Sequence, residues 1–377
     1  MKIVIFGLTI SSSWGNGHAT LWRGLCKALA QLGHEVVFFE RDVPYYAQTR
    51  DWLTLPCGEL VFYSSWDDVR ARAQRELAEA DAAIVTSYCA DALSARSAML
   101  GAQRPLTVFY DLDTPVTLAR LEQGEPVPYI GADGLRDFDL VLSYTGGAAL
   151  GMLRDRLGAR RVEALYGHVD PDVHRPVPAQ DRFAADLSWL GTFAPDRQRI
   201  LEELFVLPAR LCPQRRFRMA GAQYPNDFPW SANVYFDRHL PPHEHAAFLC
   251  SSRLTLNVTR AHMSRLGFCP SGRLFEAAAC GVAILSDEWA GLDAFYRPHA
   301  EILVARTAQD TLAALAMEDA TLRAVGAAAR ERTLDEHTSM HRAQRLVALL
   351  EESTIAHPHA QTSTQPNPLQ GVGACGA

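Results

Sequence analysis

The chain alternates short, uniformly apolar runs with segments of helical spacing, and it does so twice. KIVIF, VVFF, LVFY, AAIVTS, LTVFYD and DLVLSY make the first series; LSWLG, FRMAG, NVYFD, LTLNV, GVAILS and EILVA make the second. A run of a few β-branched and aromatic residues with no polar alternation suits a strand covered on both faces, and alternation with helices is the rhythm of a parallel, doubly wound sheet. Between the two series, residues 167–182 (GHVDPDVHRPVPAQDR) carry prolines and charges that interrupt any period. The reading is α/β in two domains: residues 1–170, a linker at 171–185, a second domain at 186–355, and a tail at 356–377 with the composition of a disordered segment. A long helical stretch from about Thr311 to Glu351 is expected to close the second domain.

Two domains also suit a length of 377 residues, beyond what one ordinary core holds. Placed in tandem they form a cleft, and in open parallel sheets ligands sit beyond the carboxyl ends of the strands. The formal charge of −7 gives no basic footprint, so nucleic acid is not an expected partner. No apolar stretch reaches the ~18 residues of a transmembrane helix, and the N-terminus lacks a signal-peptide pattern, so a cytoplasmic location is expected. The eight cysteines are scattered without a CxxC pair and read as buried thiols.

SSSWGNGHATLWRGL, directly after the first apolar run, is a strand-to-helix loop. Leu21, Leu25, Leu29 and Leu32 recur at helical spacing, and Gly33 suits the left-handed residue that ends a helix. Gly15 and Gly17 superficially match a dinucleotide fingerprint, but Thr20 stands where the third glycine or alanine belongs, so NAD(P) is not expected to bind. The loop offers His18, beside Asn16, at the positive end of a helix, where backbone amides face an anionic ligand. His18 is either a cleft residue near the reacting atoms or a solvated loop histidine, with the glycines merely permitting the turn. In YDLDTPVTL, Asp111 and Asp113 end a strand at the cleft edge; Asp113 can orient an acceptor hydroxyl or act as base, or either aspartate can serve as a turn or capping residue.

The second informative stretch is FCPSGRLFEAAACGVAILSDE. A turn at Pro270, Ser271 and Gly272 delivers Arg273 to the first turn of a helix, and Arg273 and Glu276 share a face. The helix N-terminus and the Ser271 and Gly272 amides can receive phosphate, Arg273 can add a charged contact, and Glu276 can accept from ribose hydroxyls. The alternative is a surface ion pair. Asn257 and Arg260 in LNVTR follow another strand and are cleft candidates. His243 and His245 diverge on a helix at their spacing, and no metal site is read from them.

GRLFEAAACGVAILSDEWAGL resembles the C-terminal signature of GT-B fold glycosyltransferases, in particular the CgeB-like group named after a spore maturation protein. The likeness extends to GNGHATLWRGLCKALAQLGHEV, to VDPDVHRPV at the domain crossing, to DLSWLGTFAPDR, and to ARERTLDEHTSMHRAQRLVALL. It implies two Rossmann-like domains facing across a cleft. It also implies transfer of a sugar from a nucleotide diphosphate sugar to an acceptor hydroxyl, the acceptor unspecified, with no cofactor or metal. By the resemblance Glu276 holds the nucleotide ribose, Arg197 contacts the diphosphate, Ser271, Gly272 and Arg273 form the phosphate and sugar loop, and His18 is the N-terminal-loop histidine. Related retaining families carry a second glutamate eight residues before the first; this chain has Phe268 there. The stereochemical outcome stays open, as do a sugar-nucleotide epimerase and a non-catalytic scaffold of the same fold.

Overall fold

The computed structural model describes residues 1–14 and 17–356. The expectations for Gly15, Asn16 and residues 357–377 lie outside the described residues. Two all-parallel sheets result. The first contains β1 (Lys2–Gly7), β2 (Glu35–Arg41), β3 (Gly58–Tyr63), β4 (Ala82–Thr86), β5 (Leu106–Asp111), β6 (Leu140–Ser143) and β7 (Val162–Ala164), in the order β3-β2-β1-β4-β5-β6-β7. The second contains β8 (Ala185–Leu190), β9 (Phe217–Ala220), β10 (Val234–Asp237), β11 (Ser252–Asn257), β12 (Ala283–Asp287) and β13 (Leu303–Ala305), in the order β10-β9-β8-β11-β12-β13.

Each sheet is covered on both faces, which is why its strands are continuous apolar runs. Ile3, Val4, Ile5 and Phe6 of β1 have no exposed surface, and they divide alternately between two apolar clusters on opposite faces. β7 is absent from the sequence reading because its residues, Val162, Glu163 and Ala164, form no apolar run. In both sheets the strand order reverses beside the first strand, between β1 and β4 and between β8 and β11. Loops leaving such neighbouring strands diverge to opposite faces and open a crevice.

The expected long helix is three: Ala308–Leu315, Asp319–Glu336 and Ser339–Ala356. At the first break the Arg253 guanidinium takes the carbonyls of Leu315 (3.4 Å) and Met317 (3.1 Å) and the Asp319 carboxylate, satisfying acceptors that an ending helix leaves open. At the second, Thr338 pairs in parallel with Val169, just before the linker: Val169 N–H donates to His337 O (3.1 Å) and Ser339 N–H to Val169 O (2.8 Å). The last helix then crosses back. Ala343, Leu346, Leu349 and Leu350 are buried in the cluster that holds Ile3, Leu25, Leu29 and Tyr110, so a segment assigned from sequence to the second domain packs on the first sheet. Among the described residues no helix is long and apolar enough to cross a membrane, and the cysteines are free thiols, Cys26, Cys89, Cys269 and Cys280 buried.

Candidate functional site

The two crevices meet in one cleft of about 560 Å³. From the first sheet it is lined by Gly17 and His18 after β1, Tyr88 after β4, Leu112 and Asp113 after β5 and Tyr144 after β6. From the second come Gly191 and Arg197 after β8, Asn257 and Arg260 at β11, and Ser271, Gly272, Arg273 and Glu276. All of these are residues at or beyond the carboxyl ends of strands, or in the turn and helix that follow.

The loop after β1 is held by a carboxylate. Glu40, wholly buried near the end of β2, accepts from Thr9 Oγ1 (3.0 Å) and Ser11 Oγ (2.6 Å) on one oxygen and from the Ile10 (2.7 Å) and Ser11 (3.0 Å) amides on the other. Asp51 grips the next turn, accepting from Ser13 Oγ (2.7 Å) and from the Arg23 guanidinium. Consecutive amides that would face a phosphate in a dinucleotide fold therefore face the protein's own carboxylate. Sequence reasoning missed Glu40, although its signal was present: an acid closing the second strand is the residue that meets a ribose in such folds.

His18 opens the helix His18–Gln31. Its Nε2–H donates to Asp113 Oδ2 (3.2 Å), and its Nδ1, buried, has no partner among the described residues. The Tyr88 ring stands edge-on to the imidazole at 5.8 Å between centroids, and Tyr88 itself holds φ +61°, a left-handed conformation costly for a non-glycine residue. Asp113 caps the helix Thr114–Glu122 through its backbone only, which leaves its side chain to His18. Asp111 corrects a sequence expectation. It has no exposed surface and does not line the cleft; one oxygen accepts from the Asp113 amide (3.1 Å), and burial raises its carboxyl to about 6.

On the opposite wall, Ser271 donates to Asn257 Oδ1 (2.8 Å) and not to its own helix. The helix Gly272–Ala279 thus starts without a side-chain cap, and its first residues, Gly272 and Arg273, line the cleft. Arg273 donates to Glu276 and to His245 Nδ1 (3.3 Å), and His245 Nε2–H donates to Leu240 O (3.1 Å). Burial by itself would raise the Glu276 carboxyl; the Arg273 guanidinium beside it holds it down at about 2. Burial pushes His245 down to about 3 and His174 in the same direction, so both imidazoles are neutral at neutral pH and Arg273 is the charge that keeps Glu276 ionised. Arg197 lies over the Trp189 ring at 4.9 Å and donates to Thr192 O; it has no carboxylate ion-pair partner among the described residues. Arg260 is instead tied to Asp196 (2.7 Å). A second hollow of about 310 Å³ continues from Arg273 and Glu276 toward Gly221, Gln223 and His239, roofed by Trp14, whose ring meets that of His239 at 3.9 Å between centroids. Neither Trp14 nor His239 was singled out in the sequence, since each acquires its place only when the two domains meet.

The cleft therefore joins an imidazole–carboxylate pair on one wall to an ionised carboxylate, two guanidinium groups and an uncapped helix N-terminus on the other. Residues 197–348 match the family described as "Glycosyl transferase-like". No curated protein sequence matches the chain. Among solved structures, the sucrose-phosphate synthase of Thermosynechococcus elongatus is similar over 94% of this chain and 100% of its own, with TM-score 0.66 and 13% identity. Anabaena Alr3699/HepE in complex with UDP-glucose is similar over 93% and 100%, with TM-score 0.65 and 12% identity. The trehalose 6-phosphate synthase of Burkholderia multivorans is similar over 94% and 99%, with TM-score 0.58 and 12% identity.

Proposed function

We propose that this GT-B fold, glycosyltransferase-like protein moves a sugar from a nucleotide diphosphate sugar to an acceptor hydroxyl, without a metal ion. The observation that carries the reading is the single cleft in which His18 and Asp113 oppose Arg197, Arg273 and Glu276. Glu276, anionic and inside the cleft, accepts from the two ribose hydroxyls. Phosphate oxygens meet the amides of Gly272 and Arg273 and the guanidinium groups of Arg197 and Arg273, which take up the charge of the leaving diphosphate in place of a divalent cation. The acceptor oxygen attacks the anomeric carbon, the bond from that carbon to the diphosphate oxygen breaks with its electron pair leaving on the phosphate, and the acceptor proton passes to His18. Asp113 stabilises the imidazolium so formed. UDP-glucose, bound by HepE, is the first donor to try. The narrower CgeB-like assignment rests on the sequence resemblance alone.

The test is incubation with a panel of nucleotide sugars, with and without sugar and phenolic acceptors, in the presence of a chelator. Acceptor-dependent release of nucleoside diphosphate is the expected result. An isomerised sugar nucleotide formed without acceptor would establish the epimerase, and donor binding without turnover would establish the scaffold.

A further inference from the structure

His174, His245 and Glu276 reach one point from three segments: the linker, the start of helix His245–Cys250 and the helix Gly272–Ala279. One nitrogen of each imidazole and one carboxylate oxygen all lie within 4.8 Å of one another. We propose that these three side chains form an open site for a zinc-class divalent cation, and that the cation and the nucleotide donor exclude each other because both need Glu276. The second half rests on the donor reading given above; the first half does not.

Two imidazoles and a carboxylate are a donor set that zinc takes with one position left open. The His245 tautomer is fixed in the required sense. Its Nε2 faces a carbonyl, Leu240 O, which can only accept, so the proton is on Nε2 and the lone pair on Nδ1 points into the cluster. His174, 3% exposed, aims Nε2 at Glu276 Oε2 across 3.9 Å and has no hydrogen-bond partner for that nitrogen among the described residues. A buried ring nitrogen and a carboxylate oxygen 3.9 Å apart, the nitrogen without a hydrogen-bond partner among the described residues, are placed to share one cation.

A cation already occupies part of this space. Arg273 donates to both His245 Nδ1 and Glu276, and its side chain also lines the open cleft. Binding is thus an exchange: the guanidinium withdraws toward the cleft, and ligand atoms close to the roughly 3.3 Å separation that tetrahedral zinc with ~2.0 Å bonds requires. The hollow lined by His245, Arg273 and Glu276 adjoins the cluster and gives an ion a way in. With zinc in place Glu276 has no oxygen to spare for ribose hydroxyls in the same geometry.

The experiment is calorimetric titration of the tag-free full chain with Zn²⁺ in the absence of nucleotide, with Co²⁺ visible absorption as the geometric readout. One ion per chain is expected, weakened at least tenfold in His174→Ala and in His245→Ala and tightened in Arg273→Met, where the competing guanidinium is gone. Wild-type affinity in both histidine variants, or no binding at all, overturns the site. Should either histidine variant fail to fold, Arg273→Met still decides, because weaker binding in that variant contradicts the exchange. Uridine binding with and without Zn²⁺ tests exclusion; the bare nucleoside is used because a free diphosphate chelates zinc. Zinc bound at the three residues with uridine affinity unchanged sinks the exclusion and the ribose role of Glu276 while leaving the site. Absence of zinc binding sinks the site whatever uridine does.

Discussion

His18 is the residue on which the chemistry turns. With Nε2 committed to Asp113 and Nδ1 idle, His18→Ala should lower turnover by ~10²-fold or more while nucleoside diphosphate affinity, measured by calorimetry, stays near wild type. Loss of diphosphate affinity instead would move His18 to the donor side. Glu276→Ala should weaken nucleoside diphosphate binding by roughly 1 to 3 kcal/mol, the worth of a charged hydrogen bond, with an unchanged thermal midpoint for the apo fold as the control. Arg197→Ala should weaken the diphosphate far more than the nucleoside; equal losses would indicate a folding defect. His18, Asp113, Arg273 and Glu276 could be singled out because each stands at a strand's end or a helix's start, where spacing and residue type show, whereas Arg197 was named only through the family resemblance. Asp111 was misplaced because a sequence shows two acids two positions apart but not that the chain turns at Leu112, burying one and leaving the other half-buried at the cleft. His174 was not legible at all, since a linker has no period against which a buried residue stands out.

At the scale of elements, the loop between β1 and the helix His18–Gln31 owes its shape to Glu40. Four donors converge on its carboxylate, and Gln offers one acceptor and a donor in their place. Glu40→Gln should therefore lose on the order of 3 kcal/mol in urea unfolding, and the surviving enzyme should lose kcat more than donor KM, because the distorted loop carries His18 and not the donor contacts. Unaltered kcat in a destabilised variant would make the clamp purely structural. The strands were readable as apolar runs, and so was Gly33, which ends the first helix at φ +80°. The break at His337 and Thr338 was not, because its cause is a pairing with Val169, remote in sequence, and local pattern cannot report a partner.

At the scale of the molecule, Phe268 stands between the two domains at their seam. It holds φ +46°, its carbonyl accepts from the Gly146 amide (2.9 Å), and its ring fills the seam between Gly147 of the first domain and Gly291 of the second. A Cβ on Gly147, itself at φ +58°, would stand 2.6 Å from that ring. Phe268→Ala and Gly147→Ala should each open the seam, raising the donor KM and the radius of gyration in solution scattering; a wild-type radius in both would refute the wedge. Acid lability belongs to this scale too. Burial holds His168, His245 and His337 at about 3, so the unfolded chain binds three protons that the native one refuses below about pH 6.5, and these groups lower stability as the pH is lowered. Asp111 and Asp287, raised by burial to about 6, act oppositely: the native state keeps two protons that the unfolded state has released between about pH 4 and 6. The histidines and these two aspartates therefore pull in opposite directions over that window, and removing one of either kind shifts the balance: His168→Gln should weaken the acid destabilisation and Asp287→Asn strengthen it in thermal scans. Finally, the chain crosses between the domains twice, and the crossings are stitched together at Val169 and Thr338. A single tether would allow the halves to swivel and bend in any direction. Two tethers fastened side by side oppose the swivel and would confine any opening of the cleft to bending about one line, which would keep the His18 wall in register with the Glu276 wall.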